Sequence, residues 1–299
     1  MGKLDGRVAV VTGAGRGIGA AVAETLAREG AAVVVNDRGV TMDGTGADEG
    51  PAREVVGRIL AAGGKAVANG ADVTSFTETE KLIAQAVDEF GRIDVLVNVA
   101  GIIRDAMIFK ITEEQWDSVI DVHLKGTFNT TRHASAWWRE HRGGKFRLVN
   151  FVSGSGLFGA PAQPNYAAAK MGIVGLTYSC ANALAQYGVT ANCIAPVAFT
   201  RMTESLQGKS TVMNYSPENA RLSPQNVVPP VVYLASERSD WLTGRVIQCG
   251  NGRIGLFSNP AVTREVVTDG VWDLDTAFAE MESAFQEAIL RPNPFAPKV

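Results

Sequence analysis

Cysteine is scarce in this chain, three residues in 299, and Cys180, Cys193 and Cys249 form no CxxC pair. That usage excludes a thioredoxin-like redox motif and reads as small core residues in a reducing compartment. Histidine is as rare. His123, His133 and His141 show neither HxxxH nor any other metal-ligand spacing, so no metal site is expected. No apolar run reaches the about 20 residues that cross a bilayer. A net charge of −3 offers no basic excess to nucleic acid or to an anionic membrane. Low-complexity segments and internal repeats are also missing. The N-terminal Met1–Gly6 stretch leads straight into an apolar segment, which leaves no room for a signal peptide. The C-terminal Ala296-Pro297-Lys298-Val299 is not a Ser-Lys-Leu type of peroxisomal address. The expectation is a cytoplasmic protein with no nucleic-acid or membrane partner.

What is present is a regular alternation. Arg7–Thr12, Ala31–Asn36, Lys65–Asn69, Ile93–Asn98, Arg147–Ser153, Val189–Ala195 and Arg245–Cys249 are short apolar runs rich in Val and Ile. They lack strict polar alternation, as strands do when helices cover both faces of a parallel sheet. Between them lie helical patterns at Ile18–Arg28, Glu54–Ala62, Thr77–Phe90, Glu113–Arg139, Tyr166–Gln186 and Pro224–Ser236. This predicts an α/β fold, a Rossmann-type doubly wound parallel sheet forming a single domain over residues 1–254. Residues 255–299 read as a C-terminal extension with one amphipathic stretch, Leu274–Leu290, packing on the domain or on a neighbouring subunit. Two further segments break the rhythm: a Gly- and Asp-rich loop, Arg38–Pro51, and the stretch Thr200–Pro224 with Met202, Met213 and Tyr215.

Thr12-Gly13-Ala14-Gly15-Arg16-Gly17-Ile18-Gly19 joins the first strand to the first helix. A side chain there would hold a pyrophosphate away from the backbone N–H groups and from the positive end of the helix dipole. The glycine cluster alone is weak evidence, and its place between strand and helix strengthens it. Asp37 closes the second strand. Its carboxylate suits the two ribose hydroxyls of an adenosine and repels a 2′-phosphate, which favours NAD over NADP, with Arg38 beside it as a softening influence.

With these residues in view, the sequence resembles the classical short-chain dehydrogenase/reductase family over about residues 5–252. The motifs fall in order. TGxxxGxG lies at Thr12–Gly19, Ala71-Asp72-Val73 stands where the family's acid contacts the adenine amino group, and Asn98-Val99-Ala100-Gly101 replaces NNAG. Ser153 then precedes Tyr166-Ala-Ala-Ala-Lys170, the YxxxK signature. The resemblance implies cofactor contacts at Gly13, Gly15, Arg16, Gly17, Ile18, Gly19, Asp37, Asp72, Val73, Asn98, Ala100 and Gly101, and again at Tyr166, Lys170, Pro196, Val197 and Thr200. Pro196-Val197 departs from the usual PG. His123 stands in the place of a structural Asn whose main-chain carbonyl is thought to hold a relay water, so it is assigned no certain role.

The chemistry fits the spacing. Tyr166 and Lys170, four apart, share a helix face. A tyrosine with a pKa near ~10 is a poor base at neutral pH. A neighbouring ammonium and the positive nicotinamide favour the phenolate. Tyr166 then takes the alcohol proton, Lys170 also holds the nicotinamide ribose, and Ser153 hydrogen-bonds the substrate oxygen. Narrower likeness at Val35–Gly39 and Gly63–Asn69 points to the (3R)-hydroxyacyl-CoA dehydrogenase domain of peroxisomal multifunctional β-oxidation enzymes and related bacterial stand-alone proteins. It implies an acyl-CoA substrate, with Ile102–Phe109 and Thr200–Pro224 lining the acyl pocket, and a homodimer or homotetramer. The rivals are a hydroxysteroid dehydrogenase, a 3-oxoacyl-acyl carrier protein reductase and a non-catalytic dinucleotide sensor.

Overall fold

The computed structural model describes residues 2–41, 43–200, 203–204 and 216–288. Arg201, Met202, Met213 and Tyr215 of the expected pocket segment lie outside the described residues, as does the end of the stretch read to Leu290. The rest falls into two compact units, one within Met1–Phe257 and one within Ser258–Val299.

The first unit is a sheet of eight strands: β1 Val8–Thr12, β2 Ala32–Asn36, β3 Lys65–Asn69, β4 Val95–Asn98, β5 Phe146–Phe151, β6 Val189–Val197, β7 Val246–Gly250 and β8 Arg253–Leu256. Their spatial order is β3-β2-β1-β4-β5-β6-β7-β8. The first seven run parallel, and β8 returns antiparallel to β7. The strand order reverses between β1 and β4, and there the loops at the strands' C-terminal ends part to leave a cleft.

Both faces of the sheet are covered, which is why its central strands are buried along their length and rich in Val. Helices α1 (Gly17–Arg28) and α2 (Gly50–Ala61) lie on one side with α8 (Val228–Ala235), giving a core around Val22, Leu26, Val55, Ile59 and Val231. On the other side α3 (Phe76–Phe90), α5 (Gly126–Glu140) and α7 (Pro164–Leu184) bury Leu82, Ile83, Trp138 and Ala181. Short helices α4 (Glu113–Ile120) and α6 (Gly154–Phe158) complete the unit, and α9 (Leu274–Ala288) is the helix of the second.

Four local features differ from the sequence pattern. α2 begins at Gly50 rather than at Glu54, because Pro51 sits in its first turn, where a missing N–H costs nothing. The single helix expected over 113–139 is α4 and α5 joined by a π-helical turn, Asp121–Lys125. The wider turn carries His123 into the interior, 1% exposed, and seats Gly126 against Val73, where a Cβ would lie 2.9 Å from Val73 Cγ2. α6 was not expected; Ser153 caps it, its Oγ accepting from Ser155 N–H at 3.1 Å. Nor was β8, whose hairpin turns on Asn251 and Gly252, at φ 51° and 71°.

Candidate active site

The cleft is floored by the glycine turn between β1 and α1. Gly13 has φ 63°, and a Cβ on it would stand 2.7 Å from both Cα and N of Ala100. A Cβ on Gly19 would meet the Gly13 carbonyl oxygen at 2.1 Å. Bare backbone is therefore obligatory where β1, β4 and α1 converge, and the N-terminus of α1 is left facing the cleft as an anion-binding end. Gly13, Arg16, Gly17, Ile18, Gly19, Asp37, Asp72, Val73, Ala100, Gly101 and Thr200 all line it.

Asp37 organises the far end. Its Oδ2 accepts from Gly15 N–H at 2.7 Å and its Oδ1 from Gly39 N–H at 2.6 Å, which leaves lone pairs on both oxygens for further donors. Gly15 thus stands behind the wall, holding Asp37. Arg38, the residue that could have welcomed a 2′-phosphate, is turned to Asp72 in an ion pair of 2.5 Å. Asp72 Oδ1 in turn accepts from both the N–H and the hydroxyl of Thr74, each at 2.9 Å.

Asn98 requires a correction. Instead of touching the cleft it is 5% exposed, donating through Nδ2 to Asn150 Oδ1 at 2.9 Å and accepting from Thr130 Oγ1 at 2.8 Å. Its amide spends its capacity joining β4 to β5 and α5, so it supports the cleft from behind. Pro196 and Val197 end β6 half-buried. Several residues that do line the cleft were not singled out, among them Asn36, Val40, Thr41, Gly44 and Val99, while Ile102, expected in the acyl pocket, lines this cleft. The signal for Val40, Thr41 and Gly44 was the irregular Gly-rich loop after β2, a stretch too long to be a mere connection.

Ser153, Tyr166 and Lys170 come together beyond the β4 and β5 ends. The Lys170 Nζ lies 5.5 Å from the centroid of the Tyr166 ring and donates to the Phe151 carbonyl at 2.7 Å. Burial pulls the Lys170 ammonium down to about 7, opposed slightly by Cys193. Burial also pushes the Tyr166 phenol up to about 12; its hydrogen bond with Ser153 works against that rise, while Asp105 adds to it. The direction at Tyr166 is opposite to the one expected from a neighbouring ammonium. In the protein by itself desolvation is the largest influence on Tyr166, and burial also drives Lys170 towards its neutral form. The edge of the buried His123 ring meets Tyr166 at 5.0 Å between centroids. His123 Nε2 lies 2.8 Å from the Ile102 carbonyl and 3.1 Å from its N–H, and burial keeps the ring neutral. A Cβ on Gly101 would stand 2.3 Å from His123 Cε1.

The lowered Lys170 has a consequence for stability. Between pH 7 and 10.5 the unfolded chain binds a proton at Lys170 that the folded one does not, so this group makes the ligand-free protein more stable as pH rises through that window. Lys170→Met removes the contribution. The expected result is a Tm gain over the parent that is largest near pH 7 and shrinks towards pH 10; parallel Tm curves for the two proteins would refute it.

Among the described residues no helix is long and apolar enough to cross a membrane and no cluster of His, Cys, Asp and Glu could hold a metal ion. The doubly wound sheet with its glycine-lined cleft at the switch point, and the family that residues 7–211 match, make this an NAD(P)-dependent oxidoreductase acting on CH–OH groups. Residues 7–211 match the family described as short chain dehydrogenase, and the chain belongs to that family. It is 43% identical over 293 residues to the hydroxyacyl-CoA dehydrogenase ChsB1 of Mycobacterium tuberculosis, covering 94% of this chain and 89% of that one. It is 41% identical over 252 residues to the peroxisomal hydratase-dehydrogenase-epimerase of Neurospora crassa, covering 84% of this chain but 27% of that longer protein. A crystal structure of a short chain dehydrogenase from Mycobacterium avium superimposes with a TM-score of 0.86 at 43% identity, over 100% of both chains.

Proposed function

We propose that the protein oxidises a 3-hydroxyacyl-CoA to the 3-ketoacyl-CoA with NAD as cofactor, with steroid side-chain thioesters among its substrates. The observation that carries the cofactor choice is the Asp37 carboxylate at the ribose end, with Arg38 drawn away to Asp72. The substrate class is supported by likeness along almost the whole chain to a hydroxyacyl-CoA dehydrogenase.

The cofactor's place is along Gly13–Gly19, with Asp37 at the adenosine ribose and Ala100 and Gly101 on the opposite wall. When bound, the oxidised nicotinamide supplies the hydride acceptor for the carbinol carbon and a positive charge. Tyr166 accepts the proton from the substrate hydroxyl and returns it in the reverse direction. Ser153 holds the substrate oxygen and, through its hydrogen bond to Tyr166, favours the phenolate. Lys170, anchored on Phe151, keeps its amine beside the Tyr166 ring.

The test is a kinetic panel of 3-hydroxyacyl-CoA thioesters of graded chain length, steroid thioesters and a free 17β-hydroxysteroid, each with NAD and with NADP. Turnover of the thioesters with NAD, at a kcat/KM at least about tenfold above that of the free steroid, is the expected outcome. A preference for NADPH-driven reduction of 3-oxoacyl groups would replace this reading with the biosynthetic one.

A further inference from the structure

The loop after β2 does more than connect. Asp48 N–H donates to the Arg38 carbonyl at 2.8 Å, so the loop closes on itself, and Val40, Thr41 and Gly44 line the nucleotide cleft. Asp43, whose carboxylate accepts from Thr41 and Thr45 and is held down to about 2 by those bonds, fixes the turn at its tip. That tip is fastened from outside. Arg104 Nε donates to the Asp43 carbonyl at 2.7 Å, and the Arg104 side chain is only 22% exposed. A weaker contact, 3.7 Å, links Arg104 to the exposed Glu114.

The fastening continues inward. The Arg104 carbonyl accepts from Asn165 Nδ2 at 3.1 Å, and the same amide donates to the Gln115 carbonyl at 2.9 Å. Asn165 is fully buried, and its Oδ1 accepts from Tyr166 N–H at 2.8 Å. One unbroken series of hydrogen bonds therefore runs from the loop over the cleft, through Arg104 and Asn165, to the backbone of Tyr166. Gly44 faces the opposite wall closely: a Cβ added to it would lie 3.2 Å from Ile102 Cδ1.

From this geometry we infer that Arg104 is a positioning residue for the cofactor: by holding Asp43 it latches the loop after β2 beside the nucleotide cleft to the start of the catalytic helix. The latch slows dinucleotide release, and it does so without touching the reacting atoms. The bond lies at the exposed rim of the cleft, and the guanidinium's charge makes it stronger than a bond between neutral groups. The inference rests on the NAD reading above, and its test separates the two.

Arg104→Met keeps the aliphatic stem and removes the donors. Binding is followed by nucleotide fluorescence with NADH and NADPH, and the tighter of the two is used throughout, so an error in cofactor choice appears in the parent protein alone. The expected result is an about tenfold rise in the dissociation constant, carried by faster release, with the primary isotope effect on kcat unchanged or increased. Hydrogen exchange of the 39–48 amides should quicken in the ligand-free variant, a change that loss of catalytic chemistry alone does not produce. Even where the variant folds poorly, the parent decides: nucleotide binding should slow exchange of these amides at least about tenfold. A dissociation constant within twofold of the parent, unaltered loop exchange in the variant, or no protection of the loop in the parent would each overturn the latch.

Discussion

Tyr166→Phe should lower kcat for alcohol oxidation by about 10²–10⁴-fold while the NADH dissociation constant stays within about twofold. The substitution deletes one oxygen and keeps the ring that packs edge-on against His123. Among the described residues the neighbouring basic groups are held in other contacts. Lys170 Nζ is committed to the Phe151 carbonyl, and His123 is buried, with Nε2 engaged by Ile102. The variant loses only the hydroxyl and leaves the glycine turn and Asp37 untouched, which is why binding should survive. Single-turnover kinetics and fluorescence titration make the two measurements; a variant that retains a tenth of parental turnover would show that another group handles the proton.

Asp37→Asn is expected to lower kcat/KM for NAD by about 10–100-fold and to raise the NADP to NAD preference ratio by at least as much. Two effects act together. The carboxylate's charge, which strengthens hydrogen bonds to ribose hydroxyls and repels phosphate, is lost. The amide also offers only one acceptor oxygen where Gly15 and Gly39 both point an N–H, so one of these donors then faces an NH₂ group. Arg38 remains paired with Asp72, so the variant should bind NADP only modestly in absolute terms. Steady-state kinetics with both cofactors measure the ratio, and an unchanged ratio would remove Asp37 from the discrimination.

The seven parallel strands were legible because burial on both faces writes itself as continuous Val and Ile, whatever the register. Tyr166, Lys170 and the glycine turn were legible because their spacing is local. What escaped depends on distant partners. The role of Asn98 is fixed by Asn150 on β5 and Thr130 on α5, and no local pattern reveals that its amide is spent between strands. The π-helical turn at Asp121–Lys125 is set by packing of His123 and Gly126 against Gly101 and Val73. The rise of the Tyr166 pKa in the protein alone follows from desolvation, a property of the enclosing fold rather than of the YxxxK spacing. The last hairpin also escaped, although its Asn251-Gly252 pair is the kind of dipeptide that favours a two-residue turn.

The contact between Gly101 and His123 limits how the site can change by single substitutions. With the imidazole in place, a methyl group at position 101 stands 2.3 Å from a ring carbon, so even alanine there forces the ring or the cleft wall aside. Once a smaller residue occupies position 123, that barrier is gone. The two positions are therefore coupled in a definite order: a lineage can exchange the histidine first and the glycine second, but the reverse path passes through a damaged intermediate.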